Sequence, residues 1–257
     1  MSIAASLALL IAATGSPWGE ATGSFRITPV DAATVRISGL IRPGDAAALE
    51  RHLTDKVQRV VINSAGGEAE TALAMAGMVE ARRLSIVVDG VCASSCANYL
   101  FAAAAHRTIL PGALVLWHGG PDAASRSEMH AQLRTAMTGA GATPDEVAAT
   151  IAREDARLNG WIAAQDALYA RHGLSPSVLY RLNDPALGQP VPRHVPDAAG
   201  ATDMLHLSNA ALHCAGFVTT AASGATPVDV AARKIGMTGV RIVALPGLER
   251  LLCQPRR

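Results

Sequence analysis

Three times in its first half the chain runs through a short apolar, β-branched stretch that breaks off at glycine or a small polar residue. Arg59–Asn63 (RVVIN) enters Ser64-Ala65-Gly66-Gly67, and Leu73, Ala76 and Val79 follow at helical spacing within Glu68–Arg83. Ser85–Asp89 (SIVVD) enters a tight turn over Gly90–Ser94, and Ser95–Ala105 follows as a helix of small residues. Ala113–Trp117 (ALVLW) enters His118-Gly119-Gly120. A strand, a turn and a helix in repetition predict stacked β-α units, with three strand ends delivering polar side chains and glycines to one edge. A site belongs at that edge.

The flanking segments extend the scheme. Ser24–Ser38 (FRITPV, then ATVRISG) predicts paired strands around a turn at Asp31. Asp45 is a suitable N-cap for a helix ending near Lys56. Ser125–Leu182 reads as amphipathic helix, the Pro-rich stretch Pro185–Pro196 interrupts it, and Val240–Leu245 is one more strand. The expected division is a core over 25–120, a helical region over 121–200 and a C-terminal part over 201–257, all within one domain from residue 24. Half of the residues are hydrophobic but only 4% are aromatic, so the core is expected from Ala, Val, Leu and Ile. A net charge of +1 supplies no basic field for nucleic acid.

Residues 1–23 stand apart. Ile3–Thr14 (IAASLALLIAAT) is apolar and short for a bilayer span, and no charge appears before Glu20. Two readings stay open: a secretory signal peptide with small residues at Ala21–Ser24 as its processing site, or an N-terminal helix packed on the domain. Four cysteines suit either; Cys92 and Cys96 are close, Cys214 and Cys253 far along the chain, and the pairing is open among three arrangements. In an exported chain Cys92 and Cys96 would stiffen the turn between them as a disulfide; otherwise they are small buried hydrophobes.

Ser94 and His118 fit a nucleophile and its base, because a serine hydroxyl reacts only when a base within hydrogen-bond reach takes its proton. They lie 24 residues apart, a length that one helix and one strand fill in returning to the same edge. An oxyanion needs two backbone N–H donors, and the expected pair is Gly67, which lacks a Cβ, and Ser95, at a helix start where free donors and the helix dipole favour negative charge. Glu68, Glu70 and Asp89 are poor orienters of the histidine, standing at strand ends or helix starts where surface charge is ordinary. His106, His130, His172, His194, His206 and His213 lack metal-ligand spacing, there is no Cys-x-x-Cys, and GxGxxG and phosphate-loop patterns are absent, so no metal, cofactor or nucleotide is expected.

INSAGGE (Ile62–Glu68), GVCASSCA (Gly90–Ala97) and VLWHGG (Val115–Gly120) together resemble the Clp protease proteolytic subunit family, most closely its exported relatives, over Phe25–Gly120 with an echo at Asp203–Phe217. The resemblance implies a crotonase-like α/β fold of stacked β-β-α units with covering helices. It implies a serine endopeptidase that cleaves peptides or unfolded segments without ATP of its own, and a homo-oligomer. It also implies export to the periplasm or beyond, with membrane association through the N-terminus as a further option. The resemblance also makes Asp203, in TDMLHLSNAALHCAGF, the candidate third member of a triad; the acid stands one residue early, and in an alignment without a gap Met204 takes its place and the enzyme works as a Ser-His dyad or recruits another group. Two alternatives stand beside this: a silent relative that binds peptides, and an acyl-CoA enzyme, which would need Arg82, Arg83 or Arg107 to grip phosphates rather than serve as surface charges.

Overall fold

The computed structural model describes residues 16–121, 123–182, 187, 202–221 and 226–254; Ile3–Thr14 and, apart from Leu187, the stretch Pro185–Pro196 lie outside them. The elements run α1 (Pro17–Thr22), β1 (Arg26–Asp31), β2 (Thr34–Ser38), α2 (Asp45–His52), β3 (Arg59–Ser64), α3 (Ala69–Ala81), β4 (Ser85–Ala93), α4 (Cys96–Phe101, wound as a π-helix), β5 (His106–Ile109) and β6 (Leu114–Trp117). They continue with α5 (Ala123–Gly139), α6 (Pro144–Arg171), α7 (Ser177–Tyr180), β7 (Thr202–His206), α8 (Asn209–Cys214), β8 (Thr219–Ala221), α9 (Val228–Ile235), β9 (Val240–Val243) and α10 (Pro246–Leu252). The expected α/β class, opening with two strands and then alternating helix and strand, is the class observed.

The described strands form one sheet in the order β1-β2-β3-β4-β6-β7-β9, with β5 branching from β4 and β8 pairing with β5. A β1–β2 hairpin leads into parallel pairing of β2, β3, β4 and β6, the arrangement that helical crossovers produce. Strand β4 is forked: Ser85–Val88 pairs with β5, while Val91–Ala93 pairs with β6. The fork sits where Ile62 faces Val88 but Ser64 faces Cys92, an irregularity that inserts extra residues into β4. Both faces of the central strands are buried, so β3 and β4 read as continuous apolar runs rather than alternating ones. Ile37, Val60, Ile62, Val79, Ile86 and Leu100 fill the larger core, and the few aromatics concentrate around Phe101, Trp117, Tyr169 and Phe217.

Several expectations need correction. Asp45 is the first residue of α2 rather than its cap; Gly44 precedes it in a left-handed conformation (φ 95°), and the Asp45 carboxylate accepts from the Arg42 N–H at 2.7 Å. The helix expected to reach Ala105 ends at Ala103, its π-wound part closing at Phe101, because His106 begins an unforeseen strand. Arg107, expected at the surface, is only 6% exposed. Its Nε donates to the Phe101 carbonyl at 2.7 Å, its guanidinium lies against the Phe101 and Phe217 rings, and burial pushes its pKa down to about 10. Just ahead of the expected processing site, Pro17–Thr22 form α1, capped by Ser16 and packed on the domain with Ala21 wholly buried.

Candidate active site

Adjacent parallel strands β4 and β6 end side by side, with Ala93 facing Leu116, so the residues after each strand emerge together. Ser94 follows β4 and His118 follows β6. The Ser94 hydroxyl and His118 Nε2 are hydrogen-bonded, both side chains half-buried, so a molecule from solvent can reach them. Ser94 holds a positive φ of 55°, a conformation that costs an L-residue about 1–2 kcal/mol. Such strain in a strand-to-helix turn turns the hydroxyl outward from the sheet. Three features hold the turn: the Ser94 N–H donates to the Leu116 carbonyl at 3.0 Å, the Asn98 N–H donates to the Ser94 carbonyl at 2.8 Å, and a Cys92–Cys96 disulfide spans it.

Gly66 and Gly67 approach this turn closely, with φ 93° and 139°. A Cβ on Gly66 would lie 2.5 Å from the Ala93 carbonyl oxygen and 2.8 Å from Ser94 Cβ, so the close approach requires glycine. The Ile41 N–H donates to Gly66 O and the Glu68 N–H donates to Ile41 O, which turns Gly67's own N–H and carbonyl to the opposite side, toward Ser95. The Ser95 hydroxyl donates to that Gly67 carbonyl at 2.8 Å and ties the two expected oxyanion donors together. Among the described residues neither the Gly67 nor the Ser95 backbone N–H donates a hydrogen bond, which leaves both available to a ligand.

The loop after His118 is braced from below. Asn98 Nδ2 donates to the Gly119 carbonyl at 3.1 Å, and the Gly120 N–H donates to Leu179 O at 2.8 Å. Buried Gln165 of α6 packs on Gly120, where a Cβ would lie 3.1 Å from its Nε2. A relay fixes that glutamine: Trp161 Nε1 donates to Tyr99 Oη (2.6 Å), Tyr99 Oη to Gln165 Oε1 (2.8 Å), Gln165 Nε2 to Tyr180 Oη (2.6 Å), and Tyr180 Oη to Asp166 (2.7 Å). Burial pushes the Tyr99 phenol well above its usual range, so it stays a neutral donor.

Ser94, His118, Gly67 and Ser95 thus come together, and Asp203 has another engagement. Its buried carboxylate is gripped by Arg241 of neighbouring β9, Nε to Oδ1 at 2.7 Å and Nη2 to Oδ2 at 2.8 Å. Strand parity explains this. Trp117 faces Leu205 in the antiparallel β6–β7 pair, so continuing the register sets Met204, not Asp203, on the face of His118. Glu68 caps α3 by accepting from the Glu70 and Thr71 N–H groups at 3.0 and 2.6 Å. Burial opposes its charge, but those donors outweigh it and hold its carboxyl below the usual range. Asp89 pairs with Arg36 at 2.6 Å.

Sequence reasoning passed over Asn63, Ser64 and Asn98. Ser64 Oγ donates to the Gly39 carbonyl at 2.6 Å and accepts from the Gly66 N–H at 3.1 Å, which supports the glycine turn. The signal was present: a polar side chain closing a β-branched run, or one amide in a helix of small apolar residues, is buried and must be satisfied.

No protein-family model and no curated protein matches the chain. Among solved structures it is similar to a Streptomyces coelicolor A3(2) protein described as an enoyl-CoA hydratase (15% identity, 42% of this chain and 52% of that one, TM-score 0.28). An enoyl-CoA hydratase from Shewanella pealeana ATCC 700345 is similar too (9% identity, 37% and 49%, TM-score 0.26). So is a mutant of the 1510-N membrane-bound stomatin-specific protease (12% identity, 83% and 95%, TM-score 0.39). The chain spans about half the length of those two hydratases. At these identities and TM-scores the chemistry rests on the geometry of the site alone.

Proposed function

We propose that this chain is a serine hydrolase of the crotonase-like, Clp-protease-related kind, cleaving peptides or unfolded protein segments through an acyl-enzyme. The observation that carries the reading is the Ser94–His118 hydrogen bond, made by a serine in a strained turn beside two uncommitted backbone donors. With the proton on Nδ1, His118 Nε2 accepts the Ser94 proton as Oγ attacks the acyl carbon. The oxyanion that forms takes hydrogen bonds from Gly67 and Ser95 N–H. Collapse breaks the C–N bond, and the departing amine takes its proton from His118. Water, deprotonated by the same imidazole, then attacks the ester and releases the acid and free Ser94. Asp203 is no part of this scheme, given its commitment to Arg241.

The geometry supports an acyl-CoA role less well. Arg107 is buried against ring faces and helix carbonyls, and Arg82 donates to the Thr54 carbonyl at 3.1 Å, so neither is poised for phosphate. Two disulfides, Cys92–Cys96 and Cys214–Cys253, support an exported chain working in an oxidising compartment, periplasmic or secreted. A homo-oligomer is part of the same proposal.

The test is fluorophosphonate labelling of the purified protein and its Ser94→Ala and His118→Ala variants, with the adduct mapped by mass spectrometry. Adduct on Ser94, lost in both variants, is the expected result. A folded wild-type protein that takes no label would leave a peptide-binding module without chemistry.

A further inference from the structure

The short helix α1 is wired to both halves of the site. Asn63, at the end of β3 and wholly buried, is the hub. Its Nδ2 donates to the Pro17 carbonyl and to Glu20 Oε2, each at 2.8 Å, and its Oδ1 accepts from the Val91 N–H at 3.0 Å. Val91 lies in the irregular part of β4 just ahead of the Ser94 turn, where the backbone ladder to β3 is interrupted, so the Asn63 amide supplies the missing acceptor. Gly90 allows this approach: a Cβ there would lie 2.5 Å from Asn63 Oδ1. On the other side, the Ala65 N–H, next to the glycine pair, donates to the Ala21 carbonyl at 3.1 Å.

Charge closes the arrangement. Glu20 accepts from Arg36 Nη2 at 3.1 Å, and Arg36 Nη1 donates to Asp89 at 2.6 Å, so α1, β2 and β4 are joined through one guanidinium, with β3 tied in by the Asn63–Glu20 bond. Ala21 packs in the second core cluster with Val91, Ala93 and Leu116, the residues that lead into Ser94 and His118, and Trp18 packs against that cluster. The Leu40 N–H donates to the Gly23 carbonyl at 3.0 Å. A cut at Ala21–Ser24 would strip Glu20, the Pro17 carbonyl and the Ala21 side chain from this assembly, exposing apolar surface and leaving the buried Asn63 amide without two acceptors.

We propose that α1 is a positioning element of the site, setting the Gly66-Gly67 turn and the Ser94 turn relative to each other through Asn63 and Glu20, and that any N-terminal processing therefore falls ahead of Ser16. The inference rests on the serine-hydrolase reading only where a labelling rate is measured. A displacement of about 1 Å in such a site costs on the order of a hundredfold in rate.

The test uses the full chain and its Glu20→Ala and Glu20→Gln variants, produced in a bacterial host that exports it. Amide hydrogen exchange at Ala65 and Val91 should accelerate about tenfold or more in Glu20→Ala. Fluorophosphonate labelling of Ser94 should slow by about ten- to a hundredfold while the circular dichroism of the fold persists, and Glu20→Gln, which still offers Asn63 an acceptor, should recover most of both. Mass spectrometry of the recovered protein should give an N-terminus at or before Ser16. Wild-type exchange and labelling in Glu20→Ala, or a mature chain starting at 22–25 that keeps the wild-type labelling rate, would overturn the proposal. If wild type takes no label, faster exchange in Glu20→Ala still supports positioning by α1 while the hydrolase reading fails.

Discussion

Removing the two disulfides one at a time should move stability and reactivity in opposite rank. The Cys92–Cys96 bond closes a sequence separation of 4 residues and Cys214–Cys253 a separation of 39. Loop-closure entropy then assigns about 2 kcal/mol to the first and about 4 kcal/mol to the second at 25 °C. For a domain of this size that corresponds to Tm losses of about 4–8 °C and about 8–16 °C. Reactivity should order the other way, because only the short bridge spans Ser94. Without it the turn can release the 1–2 kcal/mol or so of left-handed strain, which lowers the competent population about five- to thirtyfold. The assay pairs thermal unfolding with the fluorophosphonate labelling rate for Cys92→Ala/Cys96→Ala and Cys214→Ala/Cys253→Ala. A folded Cys92→Ala/Cys96→Ala protein that labels at the wild-type rate would refute the argument that this bridge holds the nucleophile.

Gly66→Ala should cost about 2–5 kcal/mol, the left-handed backbone adding to a Cβ 2.5 Å from Ala93 O, and should slow labelling; urea unfolding reads the first effect. Gly77→Ala, in the middle of α3 with open space around its Cβ, should instead gain about 0.5–1 kcal/mol in the same experiment. Acid should loosen α1. Burial opposes the Glu20 charge, but hydrogen bonds from Arg36 and Asn63 outweigh it and hold the carboxyl below its usual 4.5, so its contribution is complete above about pH 4.5 and is lost as pH falls through the lower folded value. Melting curves between pH 6 and pH 3 or so should therefore fall more steeply for wild type than for Glu20→Gln. Burial also depresses His206 below 6.5, so its contribution is present above about pH 6.5 and lost as the pH falls through its folded value; His206→Gln should flatten that part of the Tm profile.

The meeting of Ser94 and His118 was legible because each ends a β-branched run and because adjacent strands carry their ends to one edge. The Gly66-Gly67 turn was legible because no other residue tolerates both its dihedrals and its contacts. Asp203 misled because strand parity is invisible without the register: one residue of offset moves a carboxylate to the opposite face of β7. The strand β5 was hidden because His106 and Arg107 dilute a four-residue run, and the burial of Arg107 depends on the Phe101 and Phe217 rings, far apart in sequence. Helix α1 was absorbed into the apolar leader because Pro17, Trp18 and Gly19 carry no charge, and only its long-range partners Asn63 and Arg36 identify it. Cysteine spacing cannot select a pairing, since that depends on how α8 and α10 pack.

Forked strand β4 imposes an order on folding. Its partners β3, β5 and β6 all lie within Arg59–Trp117, and β2 joins by a single crossover, so these pairings close short loops. Strand β8 must instead bring Thr219 to Arg107, and β7 must bring Leu205 to Trp117, across the whole helical region. Loop-closure entropy rises with length, so the branch carrying the nucleophile and its base is expected to assemble first, with the C-terminal strands docking onto it afterwards. Newly made chain would thus hold Ser94 beside His118 while the β6 edge is still open, and pulsed hydrogen exchange should protect Val87 and Val115 amides before those of Met204 and Thr220.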